Sequence, residues 1–231
     1  MDNKEIYNTL TPQQQEQLNY YAQFLVEENA KYNLTAITDA KDIMIKHFID
    51  CLYLNELCDL RGKKMIDFGT GAGFPGMVNL IKDNSIQMTL LESNGKKTYF
   101  LSELSKALGL APTILNIRAE DGAKSDLRGN FDIVTARAVA HMAILLELGM
   151  PYLKVGGFFY MMKGEKADIE IQESQEALKK MHGVIRDIKR YDLKDQDNNL
   201  MGQRAIICIE KVKETEPKYP RAYAQIKKKP L

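Results

Sequence analysis

The stretch DFGTGAGFPG at residues 67–76 carries the densest chemical signal in the chain. Gly69, Gly71 and Gly73 let a backbone turn tightly and approach a ligand with no Cβ in the way. Pro75 suits the first turn of a following helix, and a helix N-terminus behind a glycine loop favours an anionic group. Gly71, Gly73 and Gly76 also satisfy G-x-G-x-x-G, so spacing alone leaves a nicotinamide dinucleotide and S-adenosylmethionine both open. Asp67, an acid where dinucleotide folds usually carry an apolar residue, favours S-adenosylmethionine. Glu92 ends the next apolar run, where a carboxylate accepts hydrogen bonds from both ribose hydroxyls of either cofactor. Ile117-Arg118-Ala119-Glu120 is expected to close a third strand, with an adenine resting between a small residue and a polar one.

Arg137 and Lys163 fall at the ends of two further apolar runs. In an open α/β sheet that is the edge where ligands bind, and both suit an RNA phosphate or the O6 edge of guanine. The bland alternative for Arg137 is an ion pair with Asp67 or Glu120. His47, His141 and His182 are isolated in sequence and are expected to be structural or surface groups. Cys51, Cys58 and Cys208 form no C-x-x-C pair and no disulfide framework, which argues against zinc. No nucleophile–base dyad stands out.

These residues need a scaffold, and the 231-residue chain, 45% hydrophobic and 27% charged, is long enough for one sizeable core. No apolar run approaches a membrane span, and a reduced, cytoplasmic protein is expected. Residues 1–60 hold ten acidic and four basic side chains, a net of −6. Their pattern is helical, with Thr11, Pro12 and Gln14 forming a capping signal and a second helix starting near Asp39. From Gly62 short apolar runs alternate with helical stretches, which predicts a doubly wound, mostly parallel α/β sheet. The last two runs, joined by DQDNNLMGQ with no helix between them, read as an antiparallel hairpin. The expected organisation is an N-terminal helical extension, 1–60, and a catalytic α/β domain, 61–231, with a basic tail. Residues 211–231 hold seven basic and two acidic side chains, a net of +5. Such a tail is either an electrostatic footprint for a polyanion or a solvated end packed down by Tyr219, Pro220 and Leu231.

Taken together, YNLTAITD, KHFIDCL, DFGTGAGFPG, LLESNGKKTYFL, IRAED, FDIVTARAVA, KG at 163–164 and KYPRAYAQIKKKPL resemble the bacterial glucose-inhibited division protein B family. The likeness runs from about residue 30 to the last residue. It implies a Rossmann-like class I methyltransferase that uses S-adenosyl-L-methionine to methylate guanine N7 in 16S RNA of the small ribosomal subunit. By position, Gly69, Gly71 and Phe74 in the glycine loop, Ala119, Glu120 and Arg137 match its cofactor contacts, and Glu92, Ser93 and Asn94 its ribose-side turn. Arg137 is also the residue expected to position the target base. Lys163, Arg221, Lys227, Lys228 and Lys229 are expected to touch RNA, and a monomer is expected. The alternative is an S-adenosylmethionine enzyme acting on a small molecule or protein; the basic ending favours RNA.

Overall fold

Asp2 caps a short helix, α1 (Asn3–Asn8), and Thr11 and Gln14 close a reciprocal capping box that starts α2 (Pro12–Tyr32). Leu18, Tyr21 and Leu25 recur on one face of α2 and are fully buried, the stripe that holds an amphipathic helix on its core. The computed structural model describes residues 2–195 and 197–231. Gln196, in the loop expected to join the last two strands, lies outside the described residues.

The spacing after Asp39 predicts one helix, and here the structure differs. Asp39 accepts from the Lys41 and Asp42 amides and starts α3 (Ala40–Ile43). A π-helical turn over Met44–Ile49 follows, then α4 (Asp50–Leu52) and a 3-10 turn over Tyr53–Glu56. A π turn inserts an extra residue and re-aims side chains. Phe48 and Cys51 stay fully buried, while His47 and Asp50 turn together toward one arginine described below. Burial pushes both Cys51 and Cys58 thiols upward, Cys58 to about 11, so they serve as packing groups.

Strand and helix then alternate as β1 (Lys64–Phe68), α5 (Gly76–Lys82), β2 (Gln87–Leu91), α6 (Gly95–Leu108), β3 (Thr113–Leu115) and α7 (Ala119–Gly122). The series continues through β4 (Phe131–Arg137), α8 (Met142–Gly149), β5 (Leu153–Lys163), α9 (Ala167–Glu173) and α10 (Gln175–Lys180). It ends with β6 (Gly183–Lys194), β7 (Leu200–Lys211) and α11 (Tyr223–Lys228). The third strand is shorter than expected: it stops at Leu115, and Ala119 and Glu120 open a helical turn whose first positions favour acids. Pro75 precedes the first residue of α5 instead of occupying it.

The seven strands lie in the order β3-β2-β1-β4-β5-β7-β6. β1 to β5 are parallel, and β7 is antiparallel to both β5 and β6, so the expected edge hairpin is present. Side chains alternate across the sheet. Met65, Met88 and Leu90 join the core under the N-terminal helices, α5 and α6, whereas Ile66, Phe68 and Leu91 join the core under α8 and α10. Each fully buried Leu or Phe contributes about 1.5–3 kcal/mol. The strand order reverses between β1 and β4, the switch point at which open α/β sheets bind ligands. Asp67 and Thr135 pair in register there, which places the glycine loop and Arg137 at the same edge.

The chain end folds back against α8. Arg128 donates to the carbonyls of Tyr219, Thr215 and Glu216 at 2.8, 2.8 and 3.1 Å, and Tyr219 and Ile226 are buried in the core beneath. Pro220 is buried too, and Leu231 packs against that core as expected.

Candidate functional site

The glycine loop is held from below by Asp67, which is fully buried at the end of β1. Its carboxylate accepts from Thr70 Oγ1 at 2.6 Å, Gly76 N at 2.9 Å and Thr135 Oγ1 at 3.1 Å. Burial raises its pKa to about 6 against the lowering effect of those donors. All this makes Asp67 an anchor for the loop and not a base facing substrate. The Tyr21 hydroxyl donates to the Ala72 carbonyl and ties the loop to α2. Two glycines are required by geometry. Gly69 has φ +64° and a Cβ there would meet Val139 Cγ2 at 2.8 Å; Gly73 has φ +106° and a Cβ would lie 2.5 Å from the Tyr21 hydroxyl.

Glu92 ends β2 beside this loop and is 8% exposed. Its Oε2 accepts from Gly71 N at 3.0 Å and its Oε1 from Asn94 N at 2.8 Å. An ionised carboxylate has about four acceptor positions, so each oxygen keeps one for a ligand hydroxyl. Asn94 also caps α6, and Ser93 is exposed in the turn between them. Asn116, which sequence reasoning missed, donates to the Glu92 carbonyl at 2.9 Å. Ala119 accepts from the Tyr152 hydroxyl at 2.5 Å, and Glu120 sits half-buried next to it.

Arg137 does not pair with Asp67 or Glu120. Its Nη1 donates to Asp50 Oδ2 at 3.1 Å and to the Lys46 carbonyl at 2.9 Å, and its Nη2 to His47 Nδ1 at 2.9 Å. The π turn supplies two of the arginine's partners, Lys46 and His47, and the first residue of α4, Asp50, supplies the third. The guanidinium lies 5.0 Å from the centre of the Phe74 ring, and the His47 ring stacks on the same phenyl at 4.4 Å. Three of five guanidinium N–H groups are engaged, which leaves two for a ligand.

His47 must accept from Arg137, a pure donor, so its proton lies on Nε2 and is given to Thr35 Oγ1 at 2.9 Å. Burial, and then the adjacent Arg137 charge, lower its pKa to about 3. The unfolded chain therefore binds one more proton than the native state between about pH 6.5 and 3. Stability present above pH 6.5 is lost as the pH falls through that window, by up to about 1.4 kcal/mol per unit. Asp67, with its raised pKa, acts in the opposite sense between about pH 6 and 4, so the comparison needs a variant. Denaturant unfolding of wild type and His47→Gln is expected to show the wild-type advantage shrinking by roughly 2 kcal/mol from pH 7 to pH 5. A constant difference would contradict a buried neutral imidazole.

Lys163 ends β5 but turns to protein partners, donating to the Ala140 carbonyl at 2.6 Å and to Glu170 Oε2 at 2.8 Å. Burial lowers its pKa, and Glu170 opposes the shift. The same Glu170 oxygen accepts from Met142 N at 2.7 Å, so the pair staples the loop after β4. Beside it a cavity of about 370 Å³ is lined by Gly164, Glu165, Arg190, Gln203 and Arg204 among others. Arg221 is also turned inward, onto the fully buried Glu147. Lys227, Lys228 and Lys229 are exposed on and after α11. The structure thus gathers the glycine loop, Glu92, Phe74 and Arg137 at one edge and sets the tail lysines on a separate surface. His141 caps α8 and meets Glu173 at 2.9 Å, and His182 follows α10. Among the described residues no group of three His, Cys, Asp or Glu is placed to hold a metal ion, and no helix is long and apolar enough to cross a membrane.

Comparison with known proteins agrees with this architecture. Among solved structures, the precorrin-6y C5,15-methyltransferase of Geobacter metallireducens superposes with a TM-score of 0.55 at 16% identity, covering 71% of this chain and 87% of that one. TYW2 of M. jannaschii, solved in complex with AdoMet, gives 0.52 at 16% identity over 70% of this chain and 74% of its own. These likenesses establish a Rossmann-like methyltransferase fold. The ribosomal RNA small subunit methyltransferase G of Lactobacillus johnsonii is 42% identical over 227 residues, 96% of this chain and 93% of that protein. Its counterpart in Clostridium botulinum (strain Alaska E43) is 39% identical over 225 residues, 96% and 92% of the two chains. A family model described as rRNA small subunit methyltransferase G matches residues 14–201, which span the glycine loop, Glu92, Arg137 and the first strand of the edge hairpin. With that match across the whole site, the chain belongs to the rRNA small subunit methyltransferase G (GidB) family.

Proposed function

We propose that the protein transfers a methyl group from S-adenosyl-L-methionine to N7 of a guanine in 16S RNA of the small ribosomal subunit, acting as a cytoplasmic monomer. In this reading residues 1–60 are a helical extension and residues 61–231 the methyltransferase domain. The observation that carries it is the meeting at one sheet edge of the Glu92 carboxylate, pinned between the Gly71 and Asn94 amides with one acceptor position left on each oxygen, and the Arg137 guanidinium beside Phe74. The donor set fits a ribose diol at Glu92, a glycine backbone at Gly69 and Gly71, and Ser93, Asn94, Ala119 and Glu120 flanking the same edge. When bound, S-adenosylmethionine supplies an electrophilic sulfonium methyl.

Guanine N7 carries an unprotonated lone pair in the base plane, so no residue has to remove a proton before attack. Arg137 holds its two spare N–H groups beside Phe74, where they can donate to O6 of a guanine and leave the N7 lone pair free to attack. Positioning is then the main source of rate, with excluded water and fixed dipoles adding to it. Lys163 acts on substrate only indirectly, by fixing the loop after Arg137, and Arg221 docks the tail. Calorimetry tests the cofactor assignment: saturable binding of S-adenosylmethionine or S-adenosylhomocysteine and none of NAD is expected. NAD binding without an S-adenosylmethionine signal would overturn it.

Lys227, Lys228 and Lys229 form the RNA-facing part of this reading, together with the basic surface around α11. Each phosphate they neutralise releases counterions. The triple alanine variant is expected to bind small-subunit RNA more weakly and with a flatter salt dependence, by about 0.7–0.9 in slope for each phosphate left without its lysine. Cofactor affinity should be unchanged. An unaltered salt slope would remove the tail from the interface.

A further inference from the structure

Asp50 is 3% exposed and sits where α4 follows the π turn. One oxygen, Oδ2, holds Arg137. The other, Oδ1, accepts from the Tyr191 hydroxyl at 2.7 Å, and Arg204 Nε lies 3.7 Å from it. Tyr191 comes from β6, the outermost strand of the sheet, 141 residues further along the chain. Its ring stacks on Tyr53 with centroids 3.8 Å apart and planes 18° from parallel. The phenol is therefore oriented from both sides: its face by Tyr53 and its hydroxyl by a buried carboxylate. Burial and the Asp50 charge push its pKa well up, so it remains a donor at any working pH. A carboxylate held at one oxygen only rotates about its last bond; held at both, it presents Oδ2 in one direction. Geometry of that kind matters because small displacements of a positioning group cost large factors in rate.

We propose that Tyr191 is a positioning residue for methyl transfer: its hydroxyl locks the Asp50 carboxylate, and Asp50 thereby fixes the Arg137 guanidinium over Phe74. The edge hairpin thereby becomes part of the site's support. This inference rests on the reading of Arg137 as the arginine that faces the base.

Tyr191→Phe removes the hydroxyl and keeps the stack on Tyr53. With unmethylated small subunits and labelled S-adenosylmethionine, kcat is expected to fall about five- to thirtyfold. KM for the subunit and the Kd for S-adenosylmethionine should stay within about twofold. In an Arg137→Lys background the same change should cost little more, because its route of action is already broken. An unchanged kcat, or an equal fold loss in both backgrounds, would overturn the proposal. A fully active Arg137→Lys would overturn the reading of Arg137 and the proposal with it, which separates the two failures. The ligand-free protein gives an independent readout. The ¹⁵N guanidinium signals of Arg137, assigned by their loss in Arg137→Lys, should report hindered rotation in wild type and at least about tenfold faster rotation in Tyr191→Phe. Equal rotation rates would overturn the proposal even where Arg137→Lys is too slow to assay.

Discussion

Replacing Arg221 with alanine is expected to lower stability by about 3–5 kcal/mol. For a chain of this size that corresponds to roughly 6–20 °C in Tm. Glu147 has no solvent exposure, and its carboxylate accepts from Arg221 N at 2.9 Å, Nε at 2.8 Å and Nη2 at 2.6 Å. The alanine variant leaves a charge buried with only the backbone amide for company, and the cost is that of the unpaired ion. Removing both partners with apolar residues, Arg221→Met and Glu147→Leu, is expected to recover most of the loss, because a buried pair and a well-packed apolar pair are often close in energy. Thermal unfolding of wild type and the two variants checks this. An Arg221→Ala protein melting within about 2 °C of wild type would show that the tail is not docked as described.

The second large effect belongs to Glu92. Glu92→Gln keeps the shape of the side chain but replaces one oxygen by an amide donor, which opposes both the Gly71 or Asn94 amide and a ribose hydroxyl. Loss of charge-assisted bonds is worth about 1.5–3 kcal/mol, a ten- to hundredfold or greater rise in the Kd for S-adenosylmethionine. Calorimetry on the folded variant, with its Tm measured alongside, decides between ligand binding and loop support. An unchanged Kd would move the ribose away from Glu92.

Local signals were the legible ones. The Thr11 and Gln14 capping box, the strand–glycine loop–helix unit at 64–82 and the edge hairpin all follow from residues within a few positions of one another. Glu92 was legible for the same reason, since it ends a short apolar run. The partners of charged residues were not. Arg137 meets Asp50 across 87 residues, and Arg221 meets Glu147 across 74. In sequence, Glu147 and Glu170 look like ordinary helix acids, so Arg221 and Lys163 read as free cations for RNA when both are tied to protein. The π turn at Met44–Ile49 escaped because its apolar spacing fits an α-helix; what shifts it is the demand that His47 and Asp50 face the same arginine. A signal was present, in that KHFIDCL places His47 and Asp50 three apart within an otherwise apolar stretch. Ionisable groups embedded in such a stretch imply partners elsewhere in the chain. Tyr191 and Asn116 carried no comparable mark.

Modification of guanine N7 in small-subunit RNA leaves a chemical mark that can be read at single-nucleotide level. Borohydride-and-aniline treatment cleaves RNA at N7-methylguanosine, and it can be applied to 16S RNA from cells with and without the gene. One guanine is expected to lose its strand-scission signal in the deletion strain and to regain it when the purified protein and S-adenosylmethionine are added to the small subunits. An identical N7-methylguanosine profile in the two strains would contradict the proposed activity.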